Sequence, residues 1–364
     1  MADRRPERIA ALGQALRGAH LDGLLVTSLP NIRYLTGFSG SSALLVVTPR
    51  ELLFVTDFRY ATQVQAEVGE LARVVIEPHS LWGALWRQLA DIGGMSVLGF
   101  ESAHLAHRDF ERLLEAGGGA RWQWRPANDL VEALRERKDA DEIARITAAA
   151  ELAERALARA VSDVRVGLTE RQVAGLLERA LRDEGSAGFP FETIVASGAR
   201  AALPHARAAA REIGRGDFLL IDFGAIVDGY CSDITRTFVV GRATDEQRHV
   251  HDTVRGAAEH ARSGIRAGLT GRDADALARR YIEDRGFGDA FGHSLGHGIG
   301  LEVHEAPRLA RTADTILPER AVVTIEPGIY RAGWGGVRIE DDVVLGRTGA
   351  TSVTSYPREL LEID

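Results

Sequence analysis

Residues 219–241, LLIDFGAIVDGYCSDITRTFVVG, decide how the second half of the chain folds. The apolar run Phe218–Ile221 leads into Asp222, and Asp228-Gly229 is a pair that favours a two-residue hairpin turn. With that turn, residue 227 pairs with 230 and Asp222 stands opposite Thr235, provided no bulge shifts the register. Asp233 is then the diagonal neighbour of Asp222. Side chains two positions apart share a face of a strand, so both carboxylates point the same way, with Cα atoms roughly 7–8 Å apart. Asp222, at the end of an apolar run, is expected to be buried. A buried carboxylate without a partner is costly, so it needs a cation.

A second stretch, VTIEPGIYRAGWGGVRIEDDVVLG (323–346), repeats the scheme of strand, glycine-containing turn and strand, with an acid on each arm. Here Glu326 follows AVVTI and Glu340 follows VRI. Asp341 and Asp342 are expected in a solvated turn or beside the ligands. Between the two stretches lies GHSLGHGIGLEVHE (292–305), which gathers His293, His297 and His304, three of the chain's 11 histidines. The spacing of four between His293 and His297 could belong to a helix, but four interleaved glycines would each cost about 1 kcal/mol there. An extended strand is expected instead, on which His293 and His297 can face one cavity.

Four carboxylates and one imidazole form an oxygen-rich set unlike the Cys/His set of structural zinc. It suits two divalent ions, Mn²⁺ first and Co²⁺ or Zn²⁺ otherwise. Such a pair shares a water, lowers its pKa and polarises a carbonyl, which gives metal-assisted hydrolysis as the reaction class.

Working outward, the 364 residues exceed what one core usually supports, and two domains are expected, 1–132 and 139–364. The first reads as a small α/β domain: a helix over 7–18, buried strands GLLVTS, SALLVVTP and ELLFVTD, then helices near 59–68, 80–91 and 106–116 alternating with strands at 72–77 and 96–100. A charge-dense RERKDADE marks the boundary, and an alanine-rich helix follows it. The second domain mixes hairpins with helices, so the chain as a whole is α+β.

The net charge is −8, and all but one of the 44 basic residues are arginine, Lys138 being the only lysine. A nucleic-acid partner is disfavoured, and the arginines read as solvated ion-pair faces. The single cysteine, Cys231, fits a reducing compartment. No apolar run reaches the ~18 residues of a membrane span, and the N-terminal stretch does not read as a secretory signal, so a cytoplasmic protein is expected.

With these residues in view, the chain resembles the creatinase, prolidase and methionine aminopeptidase group, whose catalytic domain has the pita-bread fold. The likeness runs through FPFETIVASGARAALPHA (189–206), the two hairpin stretches and FGHSLGHGIGLEVHE (291–305). It also covers PNIRYLTGFSGSSALLVV (30–47) and FVTDFRY (54–60), which resemble the creatinase-type N-terminal domain. It implies that Asp222, Asp233, His297, Glu326 and Glu340 hold two metal ions, and that Glu326 also serves as general base. It implies that His205, His293 and His304 hold and stabilise the reacting carbonyl, and that Arg338 supports the site. Arg308, in HEAPRL, matches an arginine that pairs with the carboxylate of a C-terminal proline in prolidase-like members. Phe189, Phe191 and Tyr230 are candidate walls for the proline ring.

The activity implied is hydrolysis of the bond before proline, as an Xaa-Pro dipeptidase or, on longer peptides, as aminopeptidase P. The complete ligand set sets the chain apart from metal-free creatinase, and the N-terminal domain sets it apart from methionine aminopeptidase. A non-catalytic peptide-binding module is the reading from another class. A homodimer is implied by the same resemblance.

Overall fold

The computed structural model describes residues 3–116 and 122–363. The chain divides into two compact units, Met1–Arg135 and Glu136–Asp364.

The first unit contains α1 (Arg5–Gly18), β1 (Gly23–Val26), α2 (Leu29–Thr36), β2 (Ala43–Val47), β3 (Leu52–Asp57), α3 (Ala61–Glu67), β4 (Arg73–Glu77), α4 (Leu81–Leu89), β5 (Val97–Glu101), α5 (His107–Ala116), β6 (Gln123–Ala127) and α6 (Glu132–Arg135). Its mixed sheet runs β4-β3-β2-β1-β5-β6. The central strands β1 and β2 are buried at every position, which is why their sequences, GLLV and ALLVV, are unbroken apolar runs. Helix α2 is not foreseen by periodicity, being only eight residues long. Its punctuation explains it: Pro30 sits in the first turn and Gly37, at φ 81°, closes the end.

The second unit begins with α7 (Ala140–Ser162), α8 (Glu170–Asp183), β7 (Ile194–Ser197), β8 (Phe218–Phe223), β9 (Ile226–Val227), β10 (Tyr230–Cys231) and β11 (Ile234–Val240). It continues with α9 (Asp245–Gly264), α10 (Gly271–Glu283), β12 (Gly296–Gly298), β13 (Glu305–Leu309), β14 (Val322–Ile325), β15 (Gly328–Arg331), β16 (Gly335–Arg338), β17 (Asp341–Leu345), β18 (Ala350–Ser352) and β19 (Glu362–Ile363). All four helices open on a capping box, at Asp139, Thr169, Thr244 and Thr270. The two larger sheets run β19-β11-β8-β7 and β13-β12-β14-β17-β18, and β9-β10 and β15-β16 form two-stranded sheets.

Alternation along β8 sets the layers. Leu219, Ile221 and Phe223 join a core with α7 and α8, whereas Phe218 and Leu220 join a second core with α9, α10, β14 and β17. Asp222 continues the second series, so the period that buries Phe218 and Leu220 also aims this carboxylate inward.

Candidate metal centre

The first hairpin has the register its turn dictates. Asp228 and Gly229 both take positive φ, Val227 pairs with Tyr230, and Asp222 stands opposite Thr235. The ladder is interrupted between these two stretches, and Asp233 lies in the interruption. The second hairpin is broken in the same way. Ile325 pairs with Asp341 and Gly328 with Arg338, which brackets Glu326 opposite Glu340. Where a ladder opens, backbone and side chains are released from strand pairing, and all four acids lie at or beside such a break.

The third contribution comes from β12, which is shorter than the extended strand expected from the glycine spacing. Only Gly296–Gly298 pairs, and His293 lies before it in irregular chain. Gly296 is required by close approach, since a Cβ there would collide with the carbonyl of Thr324. Strand β12 pairs with β14 on one side and β13 on the other, with His297 opposite Arg308.

These elements converge on one cavity of about 780 Å³. His205, Asp222, Asp233, His293, His297, His304, Arg308, Glu326, Arg338 and Glu340 all line it. One donor atom from each of Asp233, His297 and Glu340 falls within 4.8 Å of the others. Glu326 is adjacent, its Oε1 3.5 Å from His297 Nε2, and Asp233 Oδ2 is 3.8 Å from the same nitrogen. Asp222 is turned toward the Arg338 guanidinium, which it pairs through Oδ2.

The electrostatics are those of acids packed against one another. Burial, and then the neighbouring acids led by Glu340, push Asp233 and Glu326 well above the usual carboxylate range. Glu340 is pushed up to about 8 by burial and by Asp222. Asp222 Oδ1 and Asp233 Oδ1 are buried with no hydrogen-bond partner among the described residues. Burial also lowers His297 to about 4, so its ring is neutral at pH 7. Its Nδ1–H donates to the Gly298 carbonyl at 3.1 Å, which leaves the Nε2 lone pair facing Asp233 and Glu326. A lone pair opposed to carboxylate oxygens across gaps of 3.5 and 3.8 Å is a set that a divalent cation satisfies.

The surrounding bonds fix the acids in place. Thr235 Oγ1 donates to Glu340 Oε2 at 2.6 Å, and Thr324 Oγ1 donates to Glu326 Oε1 at 3.4 Å. Arg338, almost fully buried, also donates to Thr235 Oγ1 (3.1 Å) and to the Tyr330 hydroxyl (2.7 Å). His293, lowered to about 4 by burial, donates from Nδ1 to the Ser294 carbonyl at 2.8 Å. Its Nε2, at 2.9 Å, therefore accepts from Tyr330 O–H. Sequence reasoning gives Tyr330 no role and Thr235 only its place opposite Asp222. A tyrosine at the end of EPGIY, in an arm already carrying a candidate ligand acid, is the available signal.

Three expectations are corrected. Of the two places expected for Asp341 and Asp342, the solvated turn is overturned and the place beside the candidate ligands stands: both are fully buried in β17. Asp341 accepts from Arg236, Arg262 and Arg358, and Asp342 accepts the backbone N–H of Asp233 at 3.0 Å. The arginines are not all solvated either, since Arg135, Arg236, Arg279 and Arg338 are buried. Of the candidate proline walls only Phe191 lines the cavity. Phe189 packs beside the core of α7 and α8, and the Tyr230 hydroxyl donates to Glu142.

Residues 144–347 match the model of metallopeptidase family M24, and residues 8–137 match that of the creatinase/prolidase N-terminal domain. A Bacillus subtilis protein described as the uncharacterized peptidase YqhT is 40% identical over 94% of this chain and 96% of its own. The solved structure of an Xaa-Pro dipeptidase from Bacillus anthracis superposes with a TM-score of 0.95 at 40% identity, covering 99% of this chain and 100% of that one. An X-Pro aminopeptidase from Thermotoga maritima gives 0.89 at 38% identity, covering 98% and 99%.

Proposed function

The chain belongs to metallopeptidase family M24, with a creatinase/prolidase N-terminal domain preceding its catalytic unit, and from that membership we propose that it hydrolyses the bond before a C-terminal proline, as an Xaa-Pro dipeptidase. The observation that carries the dipeptidase reading is Arg308. It is exposed, lines the cavity directly across the β12–β13 ladder from His297, and its guanidinium makes no hydrogen bond or ion pair among the described residues. A guanidinium without a partner, one strand away from the ligand imidazole, suits a carboxylate one residue beyond the scissile carbonyl.

Asp222, Asp233, His297, Glu326 and Glu340 would hold two divalent ions, which supply a Lewis acid and an activated water when bound. Manganese is the proposed metal, on the hardness of this donor set. Glu326 takes the proton of the attacking water and returns it to the proline nitrogen; Thr324 holds its Oε1. His205, His293 and His304 face the carbonyl, and His293 is held by Tyr330 so that its ring keeps one orientation. Arg338 fixes Asp222 and Tyr330 together. Proline suits the site because it offers no amide N–H and its ring holds φ fixed.

The likeness to an X-Pro aminopeptidase favours a second reading, removal of the residue before proline from longer peptides. Gly-Pro set against an Xaa-Pro-Xaa peptide decides between them, and a preference for the longer substrate removes the dipeptidase reading. No helix among the described residues is long and apolar enough to cross a membrane. A cytoplasmic homodimer is proposed, on the chain's single cysteine, Cys231, for the compartment and on the family resemblance for the pairing.

A further inference from the structure

Lys138 is the chain's only lysine, and it is buried. Its side chain is 1% exposed, and Nζ lies 2.6 Å from Oε1 of Glu305, whose side chain is 6% exposed. Lysine is among the residues least often buried, because its ammonium is strongly hydrated. A buried ion pair of this kind frequently contributes less to stability than an apolar pair would. Stability alone is therefore a weak reason for it.

Its position supplies a better one. Glu305 is the first residue of β13, follows His304 directly and lines the cavity. The chain between β12 and β13 folds around its carboxylate: a Cβ at Gly300 would lie 2.5 Å from Glu305 Oε1, so the carboxylate fills the space a side chain would occupy. Lys138 is itself fastened at both ends. Its backbone N–H donates to the Arg320 carbonyl at 3.0 Å, just ahead of β14, and Asp139 beside it caps α7. Lys138 thus links the start of a 23-residue helix to the turn that delivers His304. Arg308 and Glu305 lie on the same ladder, but a register shift between His297 and Gly298 divides it: the rungs His297 to Arg308 and Gly296 to Leu309 hold Arg308 on one side, and Gly298 to Glu305 lies on the other.

We propose that Lys138 is a positioning residue for the hydrolysis: through Glu305 it fixes the turn 299–304 and aims the His304 imidazole at the reacting carbonyl. This rests on the peptidase reading above. Loss of the pair frees His304 but leaves the Arg308 rung in place, so turnover falls and binding of the proline carboxylate does not.

The test compares wild type, Lys138→Met and the double variant Lys138→Met/Glu305→Gln, each loaded with Mn²⁺ and assayed on Gly-Pro. The double variant matters because it removes both charges of the pair together, so neither is left buried without the other. Expected is a kcat at least tenfold below wild type with KM within about threefold, while the melting temperature of the double variant stays near that of wild type. A double variant that recovers kcat together with its melting temperature overturns the proposal, since the pair would then only neutralise itself. Histidine-ring NMR of the metal-free proteins gives a readout independent of turnover. The His304 resonances should move in the double variant and those of His251 should not; unmoved His304 resonances also overturn it. A wild type without turnover on any prolyl peptide sinks the peptidase reading instead, and the ring spectra still report whether the lysine sets the His304 environment.

Discussion

The imidazole of His304 lies 4.3 Å from that of His297, with the ring planes 58° apart. His297 faces the acids through Nε2, so its neighbour is carried to the edge of the same centre, where among the described residues no hydrogen bond or ion pair joins it to those acids. A neutral donor in that place acts on charge that develops during reaction. His304→Ala should lower kcat roughly 100-fold, about the loss of one oxyanion-type donor, with little change in KM. Metal content measured on the same preparation should match wild type. Unchanged kcat would assign the ring to packing alone.

Metal removal should expose the strain of the packed acids. Burial and Asp222 raise Glu340 from its ordinary 4.5 to about 8, and Asp233 and Glu326 are raised by burial and by Glu340. A folded-state value above the unfolded one contributes stability that is complete below about pH 4.5 and is lost as pH rises through 8. The melting temperature of chelator-stripped protein should therefore fall from pH 5 to pH 8.5, and Mn²⁺ should restore most at the alkaline end. Binding should also release protons, visible as a dependence of calorimetric heat on the ionisation enthalpy of the buffer. Asp233→Asn should abolish the ion-dependent rise and soften the alkaline fall. A flat profile in stripped protein would contradict this account.

Away from the centre, His251 on α9 gives an opposite slope. It is buried, Nδ1 has no hydrogen-bond partner among the described residues, and burial followed by Arg255 and Arg236 lowers it to about 4 from 6.5. The unfolded chain binds this proton more readily, so the contribution is complete above pH 6.5 and disappears as pH falls to about 4. It amounts to roughly 3 kcal/mol at 1.36 kcal/mol per pH unit. His251→Phe should lose less stability than the parent across that window, a comparison in which all other titrations cancel. Parallel curves would show that the imidazole is not the group responsible.

What the sequence made legible follows from turn chemistry and strand period. Asp228-Gly229 fixes the first hairpin, and the register then carries Asp222 to Thr235 without further information. Glycine punctuation similarly located the second hairpin and the histidine segment. The interactions that hold these groups were not legible, because each joins positions far apart in the chain: Lys138 to Glu305, Arg338 to Asp222, Arg236 to Asp341. Periodicity reports which face a residue takes, not which charge meets it there. For that reason the sequence leaves Asp341 between a solvated turn and a place beside the ligands, whereas it is buried and three guanidiniums offset that burial and hold its carboxyl at about 2.

Arg308 offers the sharpest test of substrate choice. Its rung is shared with His297, and no other group among the described residues engages its guanidinium, so under the dipeptidase reading its charge is available to the substrate's carboxylate. A charge-assisted contact of this kind contributes roughly 1.5–3 kcal/mol. Arg308→Ala should therefore reduce kcat/KM for Gly-Pro by about 10- to 100-fold, mainly through KM, because the carboxylate is bound alike in the ground and transition states. Gly-Pro-amide, which lacks that carboxylate, should be a poor substrate for wild type and should be nearly indifferent to the substitution. Lysine at 308 should restore only part of the loss, since a point charge cannot reproduce a two-bond contact. Equal losses on acid and amide would mean that Arg308 shapes the cavity wall and does not read the substrate's end, and the dipeptidase reading would then lose its main support.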